Sequence, residues 1–261
     1  MRFQQALATL IIVLGFFIAP VSIAQPQTTA IVSMHGKWGK PPGPLAQFLE
    51  NSGYKVASPV MPWSRLRNYD VDYEQGLKEI HNEVQKLRSQ SYKKIILIGH
   101  SFGANGALAY LTLYSDVDGI VLLAPGHIPE TNYQYGVSTN DVHAAKALLE
   151  QGKPEELITF VDPNSGNRRK NMSASARVYL SYFDPNGLAN MSLSASRELQ
   201  SVPVLCVMST EDKISQYGEA YIFDKLKPNS KSKYTWVRAS HLETPESSKD
   251  EVLEFIRSIS Q

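Results

Sequence analysis

The chain has 261 residues, of which 43% are hydrophobic and 20% are charged. This length fits one large folded domain or two small ones, and the composition excludes a collagen-like, low-complexity or globally disordered chain. The 26 Lys and Arg residues nearly balance the 25 Asp and Glu residues, so the charge does not indicate a nucleic-acid or anionic-membrane partner. The single cysteine, Cys206, excludes an intramolecular disulfide and a multi-cysteine metal site.

The N-terminus, residues 1–24, has the pattern of a signal peptide. An almost unbroken apolar run over residues 6–19 ends at a proline, and Ser22 and Ala24 supply the small residues that a signal peptidase recognises. We expect cleavage after Ala24 and export to a periplasm or another secretory destination, with no stable membrane anchor. An uncleaved N-terminal anchor is the alternative, because the apolar run approaches membrane-spanning length.

Strands and helices alternate along the rest of the chain. Short apolar runs predict strands, and apolar residues at helical spacing predict helices. The predicted strands cover residues 28–34, 54–60, 95–98, 119–124, 202–208 and 234–237, and the predicted helices cover residues 44–52, 73–88, 104–113 and 251–259. This order implies an α/β fold with a mostly parallel central sheet flanked by helices.

Residues 126–200 interrupt this alternation with several prolines, many Asn and Ser residues, and only short helical patterns such as 142–149. The stretch is too long for a simple connection, and we interpret it as an insertion that forms a cap over one end of the sheet. His127 and His143 fall within it, where a polar surface role is expected. The density of aromatic residues at Tyr179–Phe183 favours burial or contact with a ligand.

The clearest chemical signature is Gly99-His100-Ser101-Phe102-Gly103, which separates a predicted strand from a predicted helix. This is the G-x-S-x-G pattern of a nucleophile elbow, in which a serine occupies a strained turn between strand and helix. The flanking glycines leave room for the turn, and the start of the helix favours negative charge that develops beside the serine. The pattern predicts that Ser101 is a nucleophile and that the His100 side chain is directed elsewhere.

With this elbow and this order of elements, the chain resembles the α/β-hydrolase family, and in particular small lid-bearing serine hydrolases such as esterases, lipases, thioesterases and some peptidases. The resemblance covers nearly all of residues 25–261 except the divergent cap, and it implies a triad in the chain order serine, acid, histidine. The implied acid is Asp212, with its neighbour Glu211 as the alternative, and Ser209 stands where the family usually has a glycine. The implied base is His241, between the last strand and the last helix.

The resemblance also implies an oxyanion hole. In the family, the loop after the first strand of this sheet supplies one backbone amide, and the residue after the nucleophile supplies the other. Here these are the N–H groups of Lys37, in His35-Gly36-Lys37-Trp38-Gly39, and of Phe102. No role is implied for the side chains of Lys37 and Trp38.

The implied reaction is hydrolysis of an ester, thioester or amide bond of a small or acyl substrate through an acyl-enzyme, without a metal or organic cofactor. A catalytically silent binding or receptor protein of the same fold is the alternative function. Five aromatic residues are candidates for a substrate pocket under the cap, with attachment of the cap to the core as the alternative. They are Trp38, Trp63, Tyr179, Tyr182 and Phe183.

Overall fold

The computed structural model describes residues 28–164 and 168–260, and the predicted signal peptide lies outside them. The strands of the described residues are β1 (Thr29–Met34), β2 (Lys55–Ala57), β3 (Lys94–His100), β4 (Gly119–Leu123), β5 (Leu157–Pro163), β6 (Arg169–Ser175), β7 (Val204–Ser209) and β8 (Lys233–Val237). The α-helices are α1 (Pro44–Asn51), α2 (Tyr73–Ser89), α3 (Phe102–Tyr110), α4 (Pro129–Gln134), α5 (Thr139–Glu150), α6 (Ala176–Phe183), α7 (Met191–Ala195), α8 (Thr244–Ser247) and α9 (Lys249–Ser260). Over the described ranges, no helix is both long enough and apolar enough to cross a membrane.

The central sheet has the strand order β2-β1-β3-β4-β7-β8, and every neighbouring pair is parallel. Its inner strands are runs of Ile, Val and Leu because helices cover both faces. The buried apolar residues form two clusters, one shared with α2 and α3 and the other with α1 and α9. The predicted α/β fold with a mostly parallel sheet is confirmed.

Each of the six predicted strands and four predicted helices is present, with different ends. Strand β2 stops at Ala57 rather than at residue 60, since Pro59 and Pro62 follow and a proline cannot donate to a strand ladder. Helix α3 begins at Phe102, immediately after the predicted nucleophile. Ser101 therefore lies directly at the N-terminus of α3.

The chain between β4 and β7, which we call the inserted segment (residues 124–203), forms α4–α7 and the antiparallel pair β5–β6. Helix α5 contains the helical pattern predicted at residues 142–149. The hairpin was not predicted, because β6 has the polar sequence RKNMSAS and buries only Met172, Ala174 and Ser175. Helix α6 packs against α5 and α2, which places the inserted segment on the face of the sheet that carries α3.

Candidate active site

Ser101 occupies a strained turn at the carboxyl end of β3. Its backbone is left-handed, with φ 55° and ψ −116°, and its N–H donates to the carbonyl of Leu123 at 2.9 Å. The turn tolerates no side chain on either flank. A Cβ on Gly99 would lie 2.1 Å from the carbonyl oxygen of Gly103, and one on Gly103 would lie 2.3 Å from that of Met34. Close backbone approach therefore explains both glycines of the pattern.

Asp212 and His241 meet because they follow β7 and β8, which are adjacent parallel strands. His241 Nδ1 donates to Asp212 Oδ2 at 2.5 Å, and the two side chains are 22% and 13% exposed. Glu211, the alternative acid, is exposed, and its carboxylate is not the one that reaches His241. The structure thus brings together His241 and the acid that the resemblance implies.

Ser101, Asp212 and His241 line one cavity of about 390 Å³. A Cβ on Gly126, which also lines it, would lie 2.9 Å from Ser101 Oγ and 3.6 Å from His241 Cε1. A side chain at this position would clash with the Ser101 hydroxyl, so the backbone of Gly126 can lie close to Ser101 and His241 only because it carries none. The remaining lining residues are Pro125, His127, Ile128, Asn132, Pro163, Asn164, Glu211, Lys213 and Ile214.

The loop that carries Lys37 is held by backbone and ring contacts. Trp38 N–H donates to the carbonyl of Trp63 at 2.8 Å, and Trp63 Nε1 donates to the carbonyl of His35 at 2.8 Å. His35 Nδ1 donates to the carbonyl of Gly36 at 2.8 Å, while its Nε2 accepts from the amide of Met61 at 3.1 Å. No acceptor among the described residues takes the amide of Lys37 or that of Phe102, so both predicted oxyanion donors are available.

The side chains of Lys37 and Trp38, to which the sequence assigns no role, both bind Asp162 of the inserted segment. Lys37 Nζ and Trp38 Nε1 each donate to this carboxylate at 2.6 Å, and Tyr69 OH donates at 2.7 Å. Burial lowers the pKa of Lys37, although Asp162 opposes that effect. No local sequence signal marks Asp162, because its partners are more than ninety residues away.

Two histidines outside the predicted triad contact it or its surroundings. His100 Nε2 donates to the carbonyl of His241 at 2.8 Å, so its side chain turns from Ser101 toward the loop of the predicted base. His127 stacks on Phe102 with 3.9 Å between ring centroids and donates through Nε2 to the carbonyl of Tyr182 at 2.7 Å. The expected surface role of His127 is therefore wrong.

Burial disfavours the charged forms of His100 and His127, the two histidines near Ser101 that lie outside the predicted triad. Burial lowers the pKa of His100 to about 4, with a further lowering by His241. Burial also lowers the pKa of His127 well below its usual value. His143, in contrast, is exposed and contacts Tyr133, as expected for a surface residue.

The aromatic residues predicted for a substrate pocket lie elsewhere. Trp63, Tyr179, Tyr182 and Phe183 are completely buried, and neither they nor Trp38 line the cavity at Ser101. Their rings pack against core aromatic residues beside α2 and α3 or against the hairpin. The structure corrects the pocket assignment and favours the alternative, attachment of the inserted segment to the core.

The sequence model of the alpha/beta hydrolase family matches residues 31–255. The chain belongs to this family. Membership in this family supports a hydrolase activity. Over the described residues, no group of three or more His, Cys, Asp or Glu side chains is arranged to hold a metal ion. A comparison with curated protein sequences finds no match.

Several solved structures share the fold at low sequence identity. The monoacylglycerol lipase of Paleococcus ferrophilus is 21% identical, with a TM-score of 0.64 over 89% of this chain and 95% of that one. A carboxyl esterase from Bacillus coagulans is 17% identical, with a TM-score of 0.63 over 92% of each chain. A hydrolase from Agrobacterium vitis S4, described as putative, is 18% identical, with a TM-score of 0.63 over 91% and 90%. At these identities, the similarity shows a shared fold and no more.

Proposed function

We propose that this α/β hydrolase is a serine hydrolase that cleaves an ester, thioester or amide bond of a small or acyl substrate. The observation that carries the proposal is the Asp212–His241 hydrogen bond of 2.5 Å in the same cavity as Ser101. A histidine oriented by a half-buried acid and placed beside a strained serine is the arrangement that activates a hydroxyl nucleophile.

In the proposed reaction, Ser101 Oγ forms a bond to the acyl carbon while His241 Nε2 takes its proton. Asp212 stabilises the resulting imidazolium through His241 Nδ1. The proton then passes to the leaving group as its bond to the acyl carbon breaks, and water repeats these steps to release the acid. The free amides of Lys37 and Phe102 bind the negative oxygen of each tetrahedral intermediate, and a donor of this kind typically contributes about 3–4 kcal/mol.

The cavity favours a short acyl group over a long alkyl chain. Its volume of about 390 Å³ lies at the lower end of the usual range for small-molecule sites, roughly 300–1,000 Å³. Apolar Ile128 and Ile214 share its wall with the polar side chains of Asn132, Glu211 and Lys213. With the aromatic cluster packed elsewhere, the inserted segment acts as a cap over a small, partly polar site.

Covalent labelling separates this proposal from a catalytically silent binding protein. We expect the wild-type protein to react with a fluorophosphonate probe and to turn over short p-nitrophenyl esters, and Ser101→Ala to lose both by orders of magnitude. Ser196→Ala, which changes an exposed serine of the inserted segment, should keep both. Labelling that persists in folded Ser101→Ala would show another nucleophile, and an unreactive wild-type protein would favour the binding function.

We also propose that the chain is exported after cleavage behind Ala24, on the basis of the apolar run over residues 6–19 and the small residues that follow it. In a bacterial host, mass spectrometry of the periplasmic fraction should find a chain that begins at Gln25. Ala24→Tyr should block cleavage, because the peptidase accepts only small residues there. A wild-type product that keeps Met1 in the membrane fraction would support the uncleaved anchor instead.

A further inference from the structure

The carboxylate of Asp162 connects the inserted segment to the loop that carries Lys37. Asp162 is completely buried near the end of β5, and its two oxygens accept from Lys37 Nζ, Trp38 Nε1 and Tyr69 OH. Two of these three donors belong to consecutive residues of one loop. The carboxylate therefore holds the side chains of Lys37 and Trp38 together.

Stability alone does not account for such a contact. The side chains of Lys37 and Asp162 are 5% and 0% exposed, and taking two charges out of water costs about as much as their attraction returns. Apolar residues of similar volume are often at least as stabilising as a buried ion pair. The pair also fixes the position of the loop after β1 relative to the inserted segment.

The loop that this contact holds is strained next to the predicted oxyanion donor. Trp38 has φ 57°, a left-handed conformation that a non-glycine residue keeps only when its surroundings enforce it. Trp63 binds the residues on either side of Lys37, because its carbonyl accepts from the amide of Trp38 and its indole N–H donates to the carbonyl of His35. Asp162 adds a contact to the side chains of Lys37 and Trp38, so the Lys37 amide lies in a stretch of chain that both residues fix.

The same segment also forms a wall of the cavity. Lys37 Nζ donates to the carbonyl of Pro163 at 2.9 Å, and Pro163 and Asn164 line the cavity with Ser101. Lys37 Nζ further lies 5.4 Å from the ring centroid of Phe102, the residue of the second oxyanion amide. The Lys37 side chain thus contacts the cavity wall at Pro163 and lies near the ring of Phe102.

We propose that Asp162 is a positioning residue for the oxyanion hole, so that the inserted segment completes the catalytic site as well as covering it. The carboxylate fixes the Lys37 amide through the side chains of Lys37 and Trp38 and touches no reacting atom itself. This inference rests on the proposed function, because it acts only if Ser101 forms an oxyanion intermediate.

The test uses a double variant, Lys37→Met with Asp162→Asn. It removes both charges together, so that neither is left buried without a partner, and Asn still offers an acceptor to Trp38 and Tyr69. The matched control is Asp141→Asn. Asp141 accepts from the amide of Val161 at 2.7 Å, so it supports the same strand one residue away without contacting the Lys37 loop.

The measurements are kcat and KM for p-nitrophenyl acetate, the inhibition constant of a trifluoromethyl ketone, and Tm. For the folded double variant we expect kcat to fall by roughly 10- to 100-fold, somewhat less than the loss of a whole oxyanion donor, with KM within about twofold. The affinity for the ketone, whose serine adduct carries the oxyanion, should fall by the same factor as kcat/KM. Asp141→Asn should lower Tm and leave kcat and ketone affinity unchanged.

Three outcomes would overturn the inference: wild-type kcat and ketone affinity in the double variant, a rise in KM at unchanged kcat, or an equal loss of kcat in Asp141→Asn. Failure of the proposed function has a different signature, since wild-type turnover would then persist in Ser101→Ala. A wild-type protein without turnover or labelling would overturn both.

Discussion

Ser101, Asp212 and His241 lie in three loops at the carboxyl end of the sheet. Hydrogen bonds to backbone groups orient each loop. The amide of Ser101 donates to the carbonyl of Leu123, and His100 donates to the carbonyl of His241. Ser209, where the family usually has a glycine, uses its hydroxyl to donate to the carbonyl of Ala239 at 2.6 Å and to accept from the amide of Glu211 at 3.2 Å. Its side chain links the loop of Asp212 to the chain that leads into His241.

The adjacent acids Asp212 and Glu211 should respond very differently to neutralisation. In the proposed mechanism, Asp212→Asn places an amide against His241 Nδ1 and favours the wrong tautomer, so we expect a loss of about 10⁴ in kcat. Glu211→Gln should change kcat by less than about threefold, because Glu211 is exposed and does not contact His241. Ester turnover of the two purified variants checks this. A larger loss in Glu211→Gln would mean that the loop places Glu211 at the histidine during turnover.

At the scale of elements, helix α6 attaches the inserted segment to the sheet. Phe183 stacks on Tyr179 with 4.5 Å between ring centroids and meets the edge of His127 at 5.1 Å. Tyr182 donates its hydroxyl to the carbonyl of Val71 at 3.0 Å and packs against Tyr73. Because these rings lie between α6 and the core and not along the cavity, their contribution is to stability.

Phe183→Ala should therefore destabilise the protein by about 3–5 kcal/mol, the usual cost of deleting a buried aromatic ring. The preference among p-nitrophenyl esters of different chain length should stay unchanged in the folded fraction. Denaturant unfolding and an ester panel measure the two effects. Tyr182→Phe is the mild control, since it removes only one hydrogen bond, worth about 1 kcal/mol. A shifted chain-length preference without lost stability would return Phe183 to the substrate pocket.

The sequence predicts the elements whose signals are local. The apolar strands, the amphipathic helices and the elbow are each specified within a few residues, and all appear near the predicted positions. The hairpin β5–β6 escaped prediction because the polar β6 lacks an apolar alternation along its whole length. Asp162 escaped because its role depends on partners such as Lys37, 125 residues away. The aromatic cluster could be predicted to be buried, but its partners depended on where the hairpin and α6 pack.

On the scale of the whole molecule, three histidines near the carboxyl edge of the sheet have a lowered pKa: His35, His100 and His127. His35 uses Nε2 as an acceptor for the amide of Met61, so a proton there would face another donor. His127 has a buried Nδ1 with no partner among the described residues. The ring of His100 lies 5.1 Å from that of His241, and positive charge on His241 would lower the pKa of His100 further while Asp212 opposes this effect. Burial is the largest cause of the lowered pKa in each case.

These histidines should make the fold sensitive to mild acid. A group whose pKa is lower in the folded than in the unfolded chain binds its proton first in the unfolded chain, so stability is lost as the pH falls below the unfolded value. For His100 the window runs from 6.5 down to about 4, and this group alone should cost about 2 kcal/mol between pH 7 and pH 5. His35 and His127 act in the same direction. Denaturant unfolding at pH 7, 6 and 5 measures the free energy of unfolding, in a range where most carboxylates stay ionised.

His100→Gln isolates one contribution, because the Gln amide can still donate to the carbonyl of His241 but does not titrate. We expect its loss of stability from pH 7 to pH 5 to be smaller than that of the wild-type protein by about 2 kcal/mol. His143→Gln should keep the wild-type slope, since His143 is exposed. A wild-type free energy of unfolding that stays constant or rises toward pH 5 would contradict the argument. Histidines with a lowered pKa in the folded chain bind protons first in the unfolded chain, so acid must lower the free energy of unfolding.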